Sequence, residues 1–378
     1  MKTKKEAIAE MIYFPEDILK EIFLRLPGRS LLRFRCVSKS FCTLIDNPSF
    51  RSMNHELSYS RNNPSFMFCE AKRNKIYTID YKSVSSLLPS STTCEFTTNH
   101  MNYPLKFQDC EVVFLSSCNG LVWIHLRKTG GHEKEYYIWN PATEVYKSIP
   151  MPREVKSLRR GYGFCYDYRT EDYKLVRVVV DWASKCSDVD VYTVSSNSWK
   201  TTQIIPYNIY YQGYCGVLFC GALHWLMRTF GRDSTHVLVC FDIVNKRFEE
   251  VALPETPMPY PEEPLEADML DLGIGVLGGC ICLIYRFFGV GVDVWMMQEY
   301  GVRKSWTKSF SITHESITSS IYLELMWSFK NYKILWGIDY GFILYDSNNK
   351  IFREMVMYSH WTDRLTAARN YMVSSVSL

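Results

Sequence analysis

The sequence lacks the short motifs that mark zinc sites and hydrolytic nucleophiles. Its 378 residues contain no CxxC pair, no HxxxH or HExxH spacing and no GxSxG turn. The 13 cysteines are odd in number and scattered, and Cys280 and Cys282 stand too close together for a tetrahedral zinc site. We therefore expect reduced, buried thiols and neither a metal site nor a bound cofactor.

An excess of charge of one sign and long apolar runs are also missing. The 43 basic and 40 acidic residues nearly balance, whereas a nucleic-acid-binding protein concentrates positive charge on one face. The most apolar run, residues 272–285, has 14 residues, fewer than the roughly 20 of a membrane-spanning helix. Charged residues interrupt the first apolar stretch, unlike a signal peptide. We expect no nucleic-acid or membrane partner, and a cytoplasmic or nuclear location.

The N-terminal part of the chain has a helical pattern. Pro15 suits a first helical position, and Ile18, Ile22 and Leu26 recur every four residues before Pro27 and Gly28 end the helix. Ser30 and Ser38 can cap two further short helices. Three short helices in about 40 residues form a small core. We expect this unit, residues 8–52, to share apolar surface with a partner or with the rest of the chain.

The remainder of the chain alternates in hydrophobicity and repeats. Six segments consist of an apolar strand, a polar turn and an aromatic or aliphatic anchor; the anchors are Leu87, Tyr146, Trp199, Phe248, Trp306 and Phe352. Successive anchors lie 59, 53, 49, 58 and 46 residues apart, near the kelch-type period of about 50. This spacing predicts an all-β propeller of roughly six blades over residues 60–370, with a sandwich of short strands as the alternative. The fold class is therefore α+β and multidomain.

Glycines precede several of the apolar strands. Gly120, Gly221 and Gly279 each lead into such a strand. Glycine suits positions where strands approach each other tightly, and this is the role that we expect for the three residues.

The N-terminal segment resembles the F-box motif of plant proteins along its whole length. The resemblance is carried by Phe14 to Leu19, Ile22 to Pro27 and Ser30 to Phe41. Three positions depart from the motif: Phe14 replaces leucine, Gly28 replaces a small apolar residue and Phe41 replaces tryptophan. The resemblance implies three helices that bind a Skp-family adaptor and, through it, a cullin. The residues implied in adaptor binding are Phe14, Pro15, Ile18, Ile22, Leu26, Pro27, Leu31, Leu32, Val37 and Phe41.

The β-rich region is similar to the F-box-associated domain of plants. The segments that carry this similarity are Trp139 to Thr143, Gly161 to Asp167, Tyr173 to Val176 and Val294 to Lys308. The architecture is also similar to that of the S-locus F-box proteins of pollen. Together these resemblances imply a substrate-recognition subunit of an SCF-type ubiquitin ligase, which marks a protein target for degradation. A pistil ribonuclease is one possible target class, and defence or hormone-linked turnover is another possible role.

Two patterns suggest other chemistry. Residues 273–278 match GxGxxG, but strand-like residues follow where a dinucleotide site needs a helix. His224 lies on an alternating strand, as a core or rim histidine does. We therefore expect no catalysis within this chain, although a propeller that binds a carbohydrate or another small molecule beneath a helical cap remains the alternative.

Three surface clusters are candidates for contact with a protein substrate. Arg159 and Arg160 close a basic run that begins at Arg153, Tyr210 and Tyr211 belong to a tyrosine-rich stretch, and Glu262 and Glu263 lie in a proline-rich acidic stretch. A basic run suits an acidic patch, and tyrosines are favoured in protein interfaces. Ordinary solvated loops and strands are the alternative for all three.

Overall fold

The fold was analysed in a computed structural model of the chain. It describes residues 15–26, 30–31, 34, 37–46, 50, 65–70, 75–80, 84, 93–95, 99–101, 110–128, 134–152, 159–209, 215–231, 234–243, 245–255, 270–329, 332–339, 341–356 and 365–371. The statements below concern these residues.

The N-terminal unit is helical. Helix α1 spans Glu16–Leu24 and α2 spans Lys39–Asp46, and Ser30, Leu31 and Phe34 between them are also helical. Pro15 stands one position before the helix rather than inside it. The predicted cap at Ser38 is confirmed, because its hydroxyl oxygen accepts a hydrogen bond of 3.2 Å from the backbone N–H of Phe41.

Most of the rest of the described chain forms six sheets of mainly antiparallel strands, which are numbered here as blades in chain order. Blade 1 contains β1 (Ser65–Glu70), β2 (Lys75–Asp80) and β4 (Asn99–His100); blade 2 contains β5 (Cys110–Cys118), β6 (Leu121–Lys128), β7 (Lys134–Trp139) and β8 (Tyr146–Ile149). Blade 3 contains β9 (Arg160–Asp167), β10 (Asp172–Asp181), β11 (Cys186–Thr193) and β12 (Ser198–Ile205).

The chain then builds three more blades. Blade 4 contains β13 (Tyr207–Ile209), β14 (Val217–Phe219), β15 (Ala222–Thr229), β16 (His236–Asp242) and β17 (Arg247–Val251). Blade 5 contains β18 (Leu270–Leu277), β19 (Cys280–Phe287), β20 (Gly291–Met297) and β21 (Trp306–Ile312), the last two joined through a 3-10 helix at Arg303–Ser305. A one-turn helix α3 (Glu315–Thr318) leads to blade 6, which contains β22 (Leu323–Ser328), β23 (Lys333–Ile338), β24 (Gly341–Asp346) and β25 (Ile351–Val356).

The six blades close into a ring, so the predicted propeller is confirmed. The innermost strands meet in the order β5, β9, β14, β18, β22 and β26 (Leu365–Tyr371), and β26 returns to β5. Strand β26 pairs with β1 and completes blade 1, while β3 (Thr93–Glu95) pairs in parallel with β25 of blade 6. The first and last blades therefore exchange strands: β26 pairs within blade 1, and β3 pairs within blade 6.

Burial follows position within each blade. The second strand β10 is buried along almost its whole length, because neighbouring blades cover both of its faces. The fourth strand β12 is exposed at several positions. The predicted anchors Tyr146, Trp199, Phe248, Trp306 and Phe352 each lie on the last strand that is listed above for their blade, and Leu87 lies outside the described residues.

Two anchor tryptophans also tie neighbouring blades together. The indole N–H of Trp199 in blade 3 donates to the carbonyl oxygen of Pro150, just after blade 2, at 2.6 Å. The indole N–H of Trp306 in blade 5 donates to the carbonyl oxygen of Ala252, just after blade 4, at 2.8 Å. A hydrogen bond from an indole N–H to a backbone carbonyl oxygen therefore links neighbouring blades at two junctions.

The role expected for the glycines is wrong at Gly221 and Gly279. Gly120, Gly221 and Gly279 occupy hairpin turns with φ of 83°, 74° and 79°. A Cβ atom at Gly221 or Gly279 would meet nothing within 4 Å. Left-handed backbone conformation, not close approach of strands, is the reason for glycine at these turns.

Candidate protein-interaction sites

The helical unit has its own apolar core. Its buried members are Phe23, Leu24, Leu31, Leu44, Ile45 and Phe50. Leu19, Leu26 and Phe41 pack against this core and are half-buried. The rings of Phe23 and Phe41 meet edge to face with centroids 5.0 Å apart. These contacts join α1 to α2 and leave little of this core to solvent.

Other apolar residues of the unit point outward. Ile18 and Ile22 are 48% and 42% exposed, and Val37 is 67% exposed. Because residues four apart share one side of a helix, Ile18 and Ile22 form one stripe along α1. Pro15 is exposed just before that stripe. We call Pro15, Ile18, Ile22 and Val37 the outer apolar set.

The residues predicted to bind the adaptor therefore fall into three groups. The outer apolar set is accessible, Leu26 and Phe41 are half-buried, and Leu31 has no exposed surface. Phe14, Pro27 and Leu32 lie outside the described residues. Spacing along the chain did not separate the packed residues from the accessible ones.

One predicted substrate residue of the propeller, Arg159, contacts an exposed aromatic ring. The guanidinium carbon of Arg159 lies 5.2 Å from the ring centroid of Trp182. The Trp182 ring, 51% exposed, meets Phe230 of the next blade edge to face at 5.5 Å. We call these three residues the Trp182 patch. The Trp182 patch lies on the face of the propeller that carries the β10–β11 and β15–β16 turns.

Arg160 faces a different environment from its neighbour. It lies beside the buried hydroxyl of Tyr162, whose pKa is raised by burial and by Tyr136 and is lowered in part by Arg160. The Tyr162 and Tyr136 hydroxyls are 3.3 Å apart. Arg160 therefore belongs to the packing between blades 2 and 3. Tyr210, Tyr211, Glu262 and Glu263 lie outside the described residues.

Sequence reasoning missed Trp182 and Phe230. Each is a large aromatic residue in a polar turn: Trp182 in Asp181–Lys185 and Phe230 before Gly231. The Trp182 ring is exposed there, whereas the Phe230 ring is half-buried and packs against a core cluster of blades 3 and 4. This local mismatch was the signal in the sequence that could have indicated an exposed aromatic residue.

A histidine and a tyrosine connect blades 4 and 5. Nε2 of His224 lies 2.7 Å from the Tyr300 hydroxyl, and Nδ1 lies 3.2 Å from the carbonyl oxygen of Ala222. Burial lowers the pKa of His224 to about 4. The ring is therefore neutral at physiological pH, and the pair ties two blades together.

The remaining candidates for chemistry show ordinary packing. The GxGxxG segment forms β18 and the turn into β19, so a strand follows it as predicted. Within the described ranges, no group of three or more histidine, cysteine, aspartate or glutamate side chains could hold a metal ion. No helix in the described parts of the chain is long and apolar enough to cross a membrane.

Comparison with protein families agrees with this arrangement of helical unit and ring. An F-box domain model matches residues 13–53, and a model of the F-box associated beta propeller domain matches residues 66–326. The chain is an F-box protein with an F-box-associated β-propeller. Among its relatives is the F-box protein CPR1 of Arabidopsis thaliana, 32% identical over 354 residues that cover 86% of this chain and 79% of CPR1.

Two further relatives are F-box proteins of the same plant. An F-box/kelch-repeat protein of Arabidopsis thaliana is 25% identical over 347 residues, covering 89% of this chain and 88% of that protein. Another F-box protein of the same plant is 27% identical over 332 residues, covering 81% of this chain and 76% of that protein. The F-box domain implies binding to a Skp-family adaptor. In this F-box protein, the outer apolar set, together with Phe34 at 37% exposure, is accessible apolar surface among the described residues of that domain.

Proposed function

We propose that this F-box protein is a substrate-recognition subunit of an SCF-type ubiquitin ligase. The F-box binds a Skp-family adaptor and, through it, a cullin, while the propeller holds a protein target for ubiquitination and degradation. The observation that carries the proposal is the outer apolar set on a helical unit that precedes a closed ring in the same chain. An exposed stripe of this kind marks a protein interface.

The outer apolar set is the adaptor surface in this proposal. Ile18, Ile22 and Val37 are aliphatic and accessible, so burial against an adaptor removes apolar area from water. Leu31 acts by a different route, because it packs inside the helical core. A polar substitution at Leu31 therefore tests the folding of the unit and does not test docking.

In this proposal, the chain positions the protein target and contributes no catalytic groups. Holding a target close to the ubiquitin-loaded enzyme converts a bimolecular step into a nearly unimolecular one, which accelerates transfer without an acid or base from the receptor. A pistil ribonuclease remains a predicted target; expression confined to pollen would support it, and broad expression in leaves would contradict it. A cytoplasmic or nuclear location remains a prediction as well.

Co-purification with a Skp-family adaptor tests the docking step. We expect Ile18→Asp and Val37→Asp to abolish co-purification, because each places a charge in an apolar interface. Thr43→Asp adds the same charge at an exposed position of α2 and serves as the control. Retained helical circular dichroism shows that the variants fold. Full adaptor binding by both folded variants, or none by the unaltered chain, would overturn the proposal.

A further inference from the structure

The outer edges of the blades differ in how they are protected. Among the described outer strands, β4, β8 and β17 are short, with 2, 4 and 5 residues. β12 and β21 each contain a bulge, where one extra residue, Thr202 or Ser309, interrupts the register. Shortness and bulges both keep a strand edge from pairing with another polypeptide. Five of the six outer edges therefore disfavour the addition of a further strand.

The outer strand of blade 6 is different. The six residues of β25 pair with β24 without a bulge. Its other edge pairs in parallel with β3, and the pairing covers the last three residues, Glu354, Met355 and Val356. Beside residues 351–353, no strand that the structure describes occupies this edge. Blade 6 thus already holds an added strand and has room for a longer one.

The pairing of β3 with β25 is short. The chain leaves blade 1 at Asp80, contributes the three residues of β3 to blade 6 and returns to blade 1 at Asn99. Three residues make few backbone hydrogen bonds, and parallel pairing is slightly less stable per residue than antiparallel pairing. Fixing these residues in a strand also costs backbone entropy. A strand that pairs along the whole of β25 therefore makes more hydrogen bonds than β3 and can displace it.

The exposed residue at the start of β25 indicates the chemistry of a displacing strand. Ile351 is 42% exposed and precedes the part of the strand that β3 covers. Extending the register of β3 backwards by three positions places a residue of the added strand beside Ile351. Residues side by side in neighbouring strands point to the same face of the sheet. An aliphatic β-branched residue at that position covers Ile351 and favours the extended conformation.

We propose that the outer edge of β25 is a strand-addition site, at which an extended segment of the target protein displaces β3. The segment runs parallel to β25 along its six residues, contains no proline and begins with an aliphatic β-branched residue beside Ile351. β3 acts as an intramolecular competitor that covers the edge while no target is bound. This inference rests on the proposed function, because it names the kind of segment that the propeller holds.

Fluorescence anisotropy with a labelled peptide tests the inference on the full chain bound to its adaptor. The peptide copies residues 90–98 of this chain, with Ser90→Ile to cover Ile351 and Cys94→Ser to remove the thiol. In the chain, Thr93→Pro combined with Cys94→Pro weakens β3, because successive N–H groups point to opposite edges and one of the two lost donors faces β25. We expect this proline variant to bind the peptide at least about tenfold more tightly than the unaltered chain, since β3 no longer competes.

Three controls show whether the peptide binds as a strand at this edge. A peptide with proline at the positions of Thr93 and Cys94 should not bind the proline variant. Adding Ile351→Asp to that variant should weaken binding of the isoleucine peptide about threefold to fivefold and leave a peptide that keeps Ser90 almost unaffected. In hydrogen exchange, the peptide should protect the amides of β25 and leave those of the bulged strand β12 unchanged.

Equal affinity of the unaltered chain and the proline variant, or no binding by the folded proline variant, would overturn the inference. Protection of β12 instead of β25 would also overturn it. Thermal unfolding identifies a proline variant that fails to fold, and the milder Thr93→Gly combined with Cys94→Gly then replaces it, because glycine weakens a strand without removing a donor.

Adaptor binding separates this inference from the proposed function. The proline variant should retain the adaptor, and adding Ile18→Asp to it should abolish adaptor binding without changing its affinity for the peptide. If the peptide fails to bind while the adaptor still does, the assignment of the β25 edge is wrong and the receptor role stands.

Discussion

Gly163 lies directly against the indole of Trp225, so a Cβ atom at position 163 would stand 2.8 Å from Cζ2 of that ring. The same atom would stand 2.7 Å from Cδ1 of Leu223. The indole N–H of Trp225 donates to the carbonyl oxygen of Tyr162 at 3.2 Å, so the ring cannot easily move away. Blade 4 therefore inserts its tryptophan against a strand of blade 3 that has no side chain at this point.

Gly163→Ala should destabilise the propeller by about 1–3 kcal/mol, because the added methyl group overpacks a core of aromatic and aliphatic side chains. Urea unfolding measures the change. Gly273→Ala is the control, since a Cβ atom there would meet Ile284 at 3.5 Å, an ordinary contact. A loss as large at Gly273 as at Gly163 would show that the Trp225 contact is not the cause.

Trp306→Phe should cost about 1 kcal/mol of unfolding free energy, since the phenyl ring cannot donate to the Ala252 carbonyl oxygen. Trp199→Phe should act similarly at the junction of blades 2 and 3, and the double variant should lose the sum of the two effects. Trp182→Phe, at an exposed ring, should change stability by less than about 0.5 kcal/mol. Differential scanning calorimetry measures the melting temperatures of the variants. Equal melting temperatures for Trp306→Phe, Trp199→Phe and Trp182→Phe would contradict this prediction.

The unfolding free energy should decrease as the pH falls from about 6.5 to about 4. Burial lowers the pKa of His224 from its ordinary 6.5 to about 4, and burial, together with the charge of Arg228, lowers that of His236 to about 4. In this window the unfolded chain takes up protons that the folded chain does not bind. The stabilising contribution is complete above the unfolded pKa and is lost towards the folded pKa.

His224→Gln should flatten that pH dependence by up to about 1.4 kcal/mol per pH unit, the contribution of one proton. Urea titrations at several pH values provide the measurement. Tyr300→Phe removes the hydroxyl beside Nε2 but leaves the ring buried, so it should keep the slope. If His224→Gln leaves the slope of unfolding free energy against pH unchanged, the group that titrates is not His224.

Arg286→Met should cost about 3–5 kcal/mol, because it leaves the buried carboxylate of Asp271 without its cation. The two side chains are 2.6 Å apart, and Arg286 also donates to the carbonyl oxygens of Ser320 and Ile321 at the entrance to blade 6. Adding Asp271→Leu should restore part of the loss, as measured by chemical unfolding. If the double variant is no more stable than Arg286→Met, the loss of the cation beside Asp271 is not the main penalty.

The blade repeat could be predicted from the sequence because it depends on local pattern. The last strand of a blade follows a polar turn and begins near an aromatic or aliphatic anchor, as at Trp199 and Phe248. The turns are equally local: Asn140 and Asp346 each accept hydrogen bonds from backbone N–H groups two and three residues later. Periodicity and turn chemistry therefore predict a propeller of roughly six blades.

Contacts between distant segments could not be predicted in this way. The stacking of Arg159 on Trp182 depends on pairing between β9 and β10, and the Phe230 contact depends on how two blades pack. Leu31 and Val37 are both apolar residues of the F-box, yet one is buried and the other is exposed. Spacing identifies an apolar residue but does not tell which neighbours cover it.

The exchange of strands between blades 1 and 6 affects how the molecule is made. Because β26 lies beside β1, the first blade lacks its inner strand until β26 has been synthesised, about 300 residues after β1. Until then, the edge of β1 is an unpaired template to which another polypeptide can add. A truncation that removes β26 should therefore yield aggregates during synthesis, even though five blades are encoded intact.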